Sequence, residues 1–558
     1  MRDLRAVGIA VFGAVVTVAS GAFGGPAQQV ASPLVRTGES DGVLTPLSLE
    51  PALYEQVQGL NSFSINSFVL GPDLEVTLDV ERFEILDKDA LIVVGDDADA
   101  MARPDLVLLR GSVSEHEGSH VFVGLSPYGS NGYVELDGHT YIIADARFSE
   151  HETVVYDLTT LDPELMPVID AVCGTDRLPV LRPAIPGLAP AGDPPCRIAK
   201  IAVDTDWEFT SFLFGGSTQA SAAYAMTLMG AVSEIYAANF NTHFNITFLR
   251  VWAANNDPYG SLDGFEELDT LRDHWEATMG GVDRHTVHLL SGKQFNNLGG
   301  VAYQPGLCQN SFGYGLSGYI NGFFPYPIQD HSPQNWDLMV VGHEVGHNFG
   351  APHTHDQNPP LDGCAFGDCG QAFGATIMSY CHICNGGLAN IAMKFADQTI
   401  NKYVLPYLGG VACPLVALAV SIDEQPQDAS ACEGEDLTLS VAVSGTGPIA
   451  FQWFKDGDEI VGATEAELAI EDVSPGDAGM YFVYATNGCS DALSDAATVT
   501  VGAGCQADLN GDCALDVLDF VEMQMLFVAG DDAADINGDG SLSILDFVAY
   551  QLLFVGGC

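Results

Sequence analysis

His343-Glu344-Val345-Gly346-His347-Asn348-Phe349-Gly350-Ala351-Pro352-His353 holds a full set of metal ligands in one short run. Residues four apart share a helix face, so His343 and His347 aim two imidazoles at one point. Gly350 has no Cβ, which lets the chain leave the helix in a left-handed turn and bring back His353 as a third ligand. Three neutral imidazoles suit zinc and leave its fourth tetrahedral position to a water, whose pKa the ion lowers to roughly 7. Glu344, beside His343, is placed as the catalytic base that takes a proton from this water and hands it to a leaving amine. His355 is a further candidate ligand, and the choice of His353 rests on spacing.

Around this run the pattern is α/β. Ile198 to Val203 reads as a buried strand, residues 219–239 as a helix rich in Ala and Met, and Ile246 to Trp252 and Thr286 to Leu290 as strands. A helix near 265–278 lies between those strands, and Asn335 to Phe349 forms a second long helix. Such alternation indicates layered strands and helices. Residues 25–195 differ. Leu74-Glu75-Val76-Thr77-Leu78-Asp79-Val80, Val121-Phe122-Val123 and Tyr141-Ile142-Ile143 show the period-two alternation of half-buried strands. That region ends in a loop from Pro179 to Pro195, rich in Pro and Gly and open to proteolysis. Residues 418–502 are strand-like runs broken by turns such as Lys455-Asp456-Gly457. Beyond Cys505, Asp508-Leu509-Asn510-Gly511-Asp512 recurs 27 residues later as Asp535-Ile536-Asn537-Gly538-Asp539.

A chain of 558 residues accommodates three or four such units. Its 19 basic and 74 acidic residues give 19 − 74 = −55, a charge that repels phosphates and excludes nucleic acid as a partner. Arg2, Arg5 and the apolar run Ala6 to Ala19 read as a secretory signal, cleaved after Ala22 or Gly24. No later segment is apolar enough to span a membrane. The expected location is secreted, extracellular or cell-surface associated, where cysteines oxidise. The cysteine count is 13, so at least one thiol is free, intermolecular or on a metal.

Downstream of the histidines stands Thr376-Ile377-Met378-Ser379-Tyr380-Cys381. The extended histidine motif followed by this methionine turn resembles a metzincin metalloprotease. The resemblance implies that Met378 is an apolar floor beneath the three histidines. Within the metzincins, roughly residues 197–413 most resemble the reprolysin (adamalysin/ADAM-like) family. Leu298-Gly299-Gly300-Val301-Ala302-Tyr303, followed by Cys308, is similar to that family's cleft-edge strand, which implies that Gly300, Val301 and Ala302 pair with an extended protein or peptide substrate. Two departures stand out. Reprolysins usually carry Asp directly after the third His, whereas Thr354 stands here and Asp356 comes later. Tyr380 matches a position where astacin-like and serralysin-like relatives carry a zinc-proximal tyrosine, and is either an oxyanion donor or a core residue.

Arg110-Gly111-Ser112-Val113 and Gly132-Tyr133-Val134-Glu135-Leu136 resemble a reprolysin propeptide. Val172-Cys173-Gly174 is similar to the family's cysteine switch. The implied role of Cys173 is to take zinc's open position until the loop is cut, with Arg177 and Arg182 as cleavage points. The alternative is a disulfide, for instance with Cys196. By family resemblance Cys308 pairs with Cys413. The four cysteines between 364 and 384 either pair among themselves or hold a second zinc, their export favouring disulfides.

Residues 418–502 resemble an immunoglobulin-like domain, with Trp453 as the buried strand-C tryptophan and Asp477-Ala478-Gly479-Met480-Tyr481 as the tyrosine corner. Val441 and Val483 stand where its cysteines usually do, leaving Cys432 and Cys489 to a different bridge. The terminal repeats resemble dockerin repeats, relatives of the EF-hand loop. The resemblance implies two calcium ions, one on Asp508, Asn510, Asp512 and Asp519 and one on Asp535, Asn537, Asp539 and Asp546. Cys513 replaces the usual loop glycine, and Cys505 and Cys558 bracket the unit. The implied role is docking to a cohesin-like or cell-surface partner.

The expected protein is thus multidomain. A signal peptide (1–24) and a β-rich propeptide (25–195) precede an α/β metzincin catalytic domain (196–413). An all-β immunoglobulin-like sandwich (418–502) and a small α-helical dockerin-like calcium-binding domain (505–558) follow. The expected activity is that of a secreted, zymogen-type zinc metalloendopeptidase.

Overall fold

The computed structural model describes residues 28–96, 100–146, 152–162, 168–179, 181, 194–296, 298–309, 311–325, 336–411, 413–502, 506–511 and 515–556. The signal segment, Arg182, most of the Pro179–Pro195 loop, Asn335, Asp512, Cys505, Cys513 and Cys558 lie outside the described residues.

The alternating N-terminal runs build one ten-stranded sheet, largely an antiparallel meander from Glu75–Arg82 to Thr153–Asp157. Half-burial was the expectation, and here the structure differs. Val121 and Val123 face one apolar core with Leu78, Leu109 and Ile143. Phe122, Tyr133, Ile142 and Tyr156 face a second core, and that core belongs equally to the following unit. The helix Thr218–Phe240 covers this second face. It is buried on nearly every side, which is why its Ala- and Met-rich sequence shows no polar stripe. A Cβ on Gly124 would meet Thr227 Cγ2 at 2.5 Å, so this glycine sets how closely helix and sheet approach.

The next sheet has seven strands. Its order is Val172–Cys173, Leu298–Ala302, Tyr314–Ser317, Thr286–Leu290, Arg197–Thr205, Thr242–Val251 and Leu86–Val94. The N-terminal region therefore supplies both outermost strands. Leu86–Val94 pairs in parallel with Thr242–Val251, and Val172–Cys173 pairs in parallel with Leu298–Ala302. Helices Gly264–Thr278 and Asp337–Asn348 flank the sheet, close to the expected bounds.

The immunoglobulin-like sandwich closes on Trp453, Val441 and Val483, all in its core. Tyr481 donates to Asp477 O at 2.7 Å, the expected corner. One cysteine expectation is corrected. Cys489 bridges Cys196, 293 residues away, and not Cys432. This bond ties the sandwich to the start of the central unit. Asn61 Nδ2 also donates to Phe451 O (2.6 Å), and the Gly462 amide to Gly59 O (2.7 Å), so the sandwich also touches the turn that leads into strand Ser62–Val69 of the N-terminal sheet. The pairs Cys308–Cys413, Cys364–Cys381 and Cys369–Cys384 form, which leaves the last four to disulfides rather than a second metal. The terminal unit is two helices, Val517–Ala529 and Ile544–Gly556, around Met523, Ile536 and Tyr550. Among the described residues no helix is long and apolar enough to cross a membrane.

Candidate metal centre

Helix Asp337–Asn348 is buried along its length, which carries His343 and His347 into the interior on successive turns. Asp337 anchors its start by accepting from Tyr224 Oη (2.6 Å) and the Asn321 and Gly322 amides (both 2.9 Å). At the other end Gly350 adopts φ +87°, the left-handed turn expected of it. Its amide donates to His347 O (2.9 Å) and the Ala351 amide to Gly346 O (3.0 Å), and the chain returns with His353.

The three Nε2 atoms converge. They are separated by 3.2 Å (His343–His347), 3.1 Å (His347–His353) and 3.1 Å (His343–His353). Zinc about 2.0–2.1 Å from each nitrogen requires tetrahedral edges of roughly 3.3 Å. Each Nδ1 is turned outward and donates: His343 to Ile377 O (2.7 Å), His347 to Ala351 O (2.8 Å), His353 to Asp176 Oδ1 (2.5 Å). Carbonyls and carboxylates only accept, so each ring carries its proton on Nδ1 and presents an Nε2 lone pair inward. Burial holds His343 and His347 well below the ordinary imidazole range, which keeps them neutral. Burial also works against charge on His353, but its hydrogen bond to Asp176 and the nearby Asp356 carboxylate hold it above that range. Three ring nitrogens at such spacing match the edges of a tetrahedral site, and the donor set fits zinc. His355 is not part of this set. It stacks on His353 at 5.0 Å between ring centres.

The fourth donor is Cys173. Its Sγ lies 3.3 Å from His347 Nε2 and within 4.8 Å of all three ring nitrogens. It is the free cysteine among the described residues, so the alternative disulfide with Cys196 does not form. The thiol also donates to Glu344 Oε2 at 3.4 Å. Burial, reinforced by the Glu344 carboxylate, raises the thiol above its usual range. Glu344 itself is buried and pushed up to about 8, against the opposing pull of Cys173 and His353. Met378 is fully buried under the helix, and a Cβ on Gly346 would meet its Sδ at 2.8 Å. Tyr380 donates to Cys173 O at 3.1 Å, its phenol kept neutral chiefly by burial.

Gly300, Val301 and Ala302 lie on the strand that Val172–Cys173 covers. The Gly174 amide donates to Gly300 O (2.8 Å), and Thr175 Oγ1 both donates to Ala302 O (3.0 Å) and accepts from its amide (3.1 Å). A Cβ on Gly300 would come within 2.5 Å of Glu344 Cγ. Gly300→Ala should therefore displace the carboxylate and lower kcat by about 100-fold, with metal content unchanged on elemental analysis. A wild-type kcat would remove Gly300 from the site.

The two acidic repeats are less convergent. Asp519 Oδ1 accepts from the Asn510 amide and Asp546 Oδ1 from the Asn537 amide, both at 3.3 Å, so the two loops fold alike. Asp508 accepts from the Gly511 amide (2.9 Å), and Asp535 from the Asp539 (3.1 Å) and Gly540 (2.7 Å) amides. Among the described residues, groups of His, Cys, Asp or Glu ligand atoms within 4.8 Å of one another occur around the histidines and disulfides, not here. Sequence reasoning missed Asp176, whose function depends on a partner 177 residues away, and the Ile377 and Ala351 carbonyls, which any residue type supplies.

Residues 196–389 match the profile of metallo-peptidase family M12, and residues 420–501 that of the immunoglobulin I-set domain. A curated relative is the snake venom metalloproteinase trimerelysin-2 of Protobothrops flavoviridis, 24% identical over 152 residues, or 25% of this chain. The chain spans 66% of that relative's length. Solved structures that align include a chimeric titin bearing an exogenous decorin peptide (26% identity, 16% of this chain and 99% of that one, TM-score 0.14). Tandem Ig repeats of Dlar align too (18% identity, 16% of this chain and 48% of that one, TM-score 0.15). The chain thus carries a reprolysin-type M12 zinc metallopeptidase domain and an I-set domain.

Proposed function

We propose that the whole chain is a secreted zinc endopeptidase, made as a latent zymogen in which residues 25–195 are the propeptide and 196–413 the catalytic domain. One observation carries this reading: three inward Nε2 atoms 3.1–3.2 Å apart meet a free thiol that arrives from the N-terminal region along the candidate substrate strand. His343, His347 and His353 would hold the metal. Zinc, when bound, supplies a Lewis acid and a water of lowered pKa.

The chain's own groups do the rest. Once residues 172–181 depart, Gly300 O and the Ala302 amide and carbonyl, which now bond Gly174 and Thr175, are open to an extended peptide, with Val301 between them. Glu344 takes a proton from water at its carboxylate and delivers it to the leaving amine. Burial favours the protonated carboxyl, which helps it hold the captured proton until the amine leaves. Tyr380 Oη, freed from Cys173 O, becomes a neutral donor for the developing oxyanion. Met378 and Gly350 fix the geometry from below and behind.

The terminal unit is proposed to bind two calcium ions through its repeated loops and to dock on a cohesin-like or cell-surface partner. Their matching hydrogen bonds, Asp519 to Asn510 and Asp546 to Asn537, support that duplication. Asp512 completes the first ligand set by sequence alone.

The test is metal removal. After linker cleavage the protein should hold one zinc per chain and cleave casein. Chelation should abolish cleavage, and zinc should restore it. Stoichiometric absence of zinc from an active preparation would sink the reading.

A further inference from the structure

We propose that His353 changes its carboxylate partner during activation: Asp176 of the propeptide holds its Nδ1 in the latent protein, and Asp356 takes over once the propeptide leaves. The inference rests on the zinc and zymogen reading above and adds a positioning residue to it. Of the three inward-facing histidines, two lean on acceptors within 196–413, the carbonyls of Ile377 and Ala351. Only His353 leans on the propeptide, through Asp176 Oδ1 at 2.5 Å. Linker cleavage and departure of residues 25–195 would strip this ring of its Nδ1 acceptor. A metal-binding imidazole without that acceptor loses both its fixed orientation and part of its basicity.

A replacement is already in place. Asp356 Oδ2 lies 3.5 Å from the same Nδ1, three residues along a short 3-10 turn, Thr354–Asp356. It stands just outside a normal hydrogen bond while Asp176 occupies the better position. His355 flanks both carboxylates, with Nε2 3.8 Å from each. Asp176 and Asp356 are 42% and 51% exposed, so either can approach from the solvent side, while the His353 side chain is 1% exposed with the N-terminal segment in place. Asp356 thus needs to close about 1 Å, from 3.5 Å to the 2.5 Å that Asp176 now holds.

The experiment measures zinc loss to a chelator from the full-length, zinc-loaded protein, before and after proteolysis of the 179–195 linker, with propeptide release followed by size exclusion. In the uncut protein Asp356→Ala should lose zinc at the wild-type rate, because Asp176 serves His353. After cutting and release the same variant should lose zinc about 10–100-fold faster than cut wild type. Asp356→Asn keeps an acceptor without its charge and should fall between. A purely structural role for Asp356 would change both forms alike, and equal acceleration in both overturns the proposal. So does a wild-type rate in the cut variant, or a cut propeptide that never leaves. No zinc in the wild-type protein would overturn the metal reading and this proposal together, whereas zinc lost at identical rates by all variants overturns the proposal alone.

Discussion

Glu344→Gln should leave the activated protein with its zinc but without measurable casein cleavage, a fall of about 10²–10⁴ in kcat. The amide keeps the size and one acceptor of the carboxylate but cannot take a proton. Its setting explains why the loss should fall on kcat. Glu344 is 1% exposed, one residue from His343, and its carboxyl is raised to about 8 chiefly by burial. A carboxylate held there out of bulk water is placed to take the proton and return it to an amine. KM should change little, because the groups that would line up substrate are the outward backbone groups of Gly300 and Ala302. Full activity in Glu344→Gln would remove it as the base. Loss of zinc from the variant would assign it to metal retention instead.

How much of this was legible follows the range of the interactions. The histidine spacing, the left-handed turn at Gly350 and the buried methionine are local, each set by a handful of neighbouring residues. They were read from the sequence and recur in the structure. The helices Thr218–Phe240 and Gly264–Thr278 and the strand Thr286–Leu290 were legible for the same reason. What failed was long-range. Alternation at Val121-Phe122-Val123 correctly gives a strand with two faces, but it cannot say that Phe122 is covered by a helix a hundred residues on. Strand Leu86–Val94 carries nothing to show that it completes another unit's sheet. The Cys196–Cys489 bond spans 293 residues, and a cysteine count leaves such pairing open. The role of Asp176 was hidden likewise, since an aspartate three residues after a cysteine has no local pattern that points to His353.

Cys173→Ala should give an uncut protein that hydrolyses short peptides about 10–100-fold faster than uncut wild type. The variant removes the group that meets His347 Nε2 at 3.3 Å and Glu344 Oε2 at 3.4 Å, and so frees both the fourth donor position and the base. It leaves the rest of the N-terminal region in place. Gly174 and Thr175 still bond the Gly300–Ala302 strand, Leu181 still donates to Gln304 O at 3.1 Å, and the shared core around Phe122 and helix Thr218–Phe240 is untouched. Two barriers to substrate are thereby separated. On the proposed latency the thiol would close the chemistry, while the paired strand would close the cleft. A short peptide that reaches the metal without the full strand should report the first barrier alone, and casein should stay uncleaved until the linker is cut. If peptide hydrolysis by uncut Cys173→Ala matches wild type, the thiol is not the latch. If casein is cleaved at once, the strand is no barrier, and latency rests on Cys173 alone.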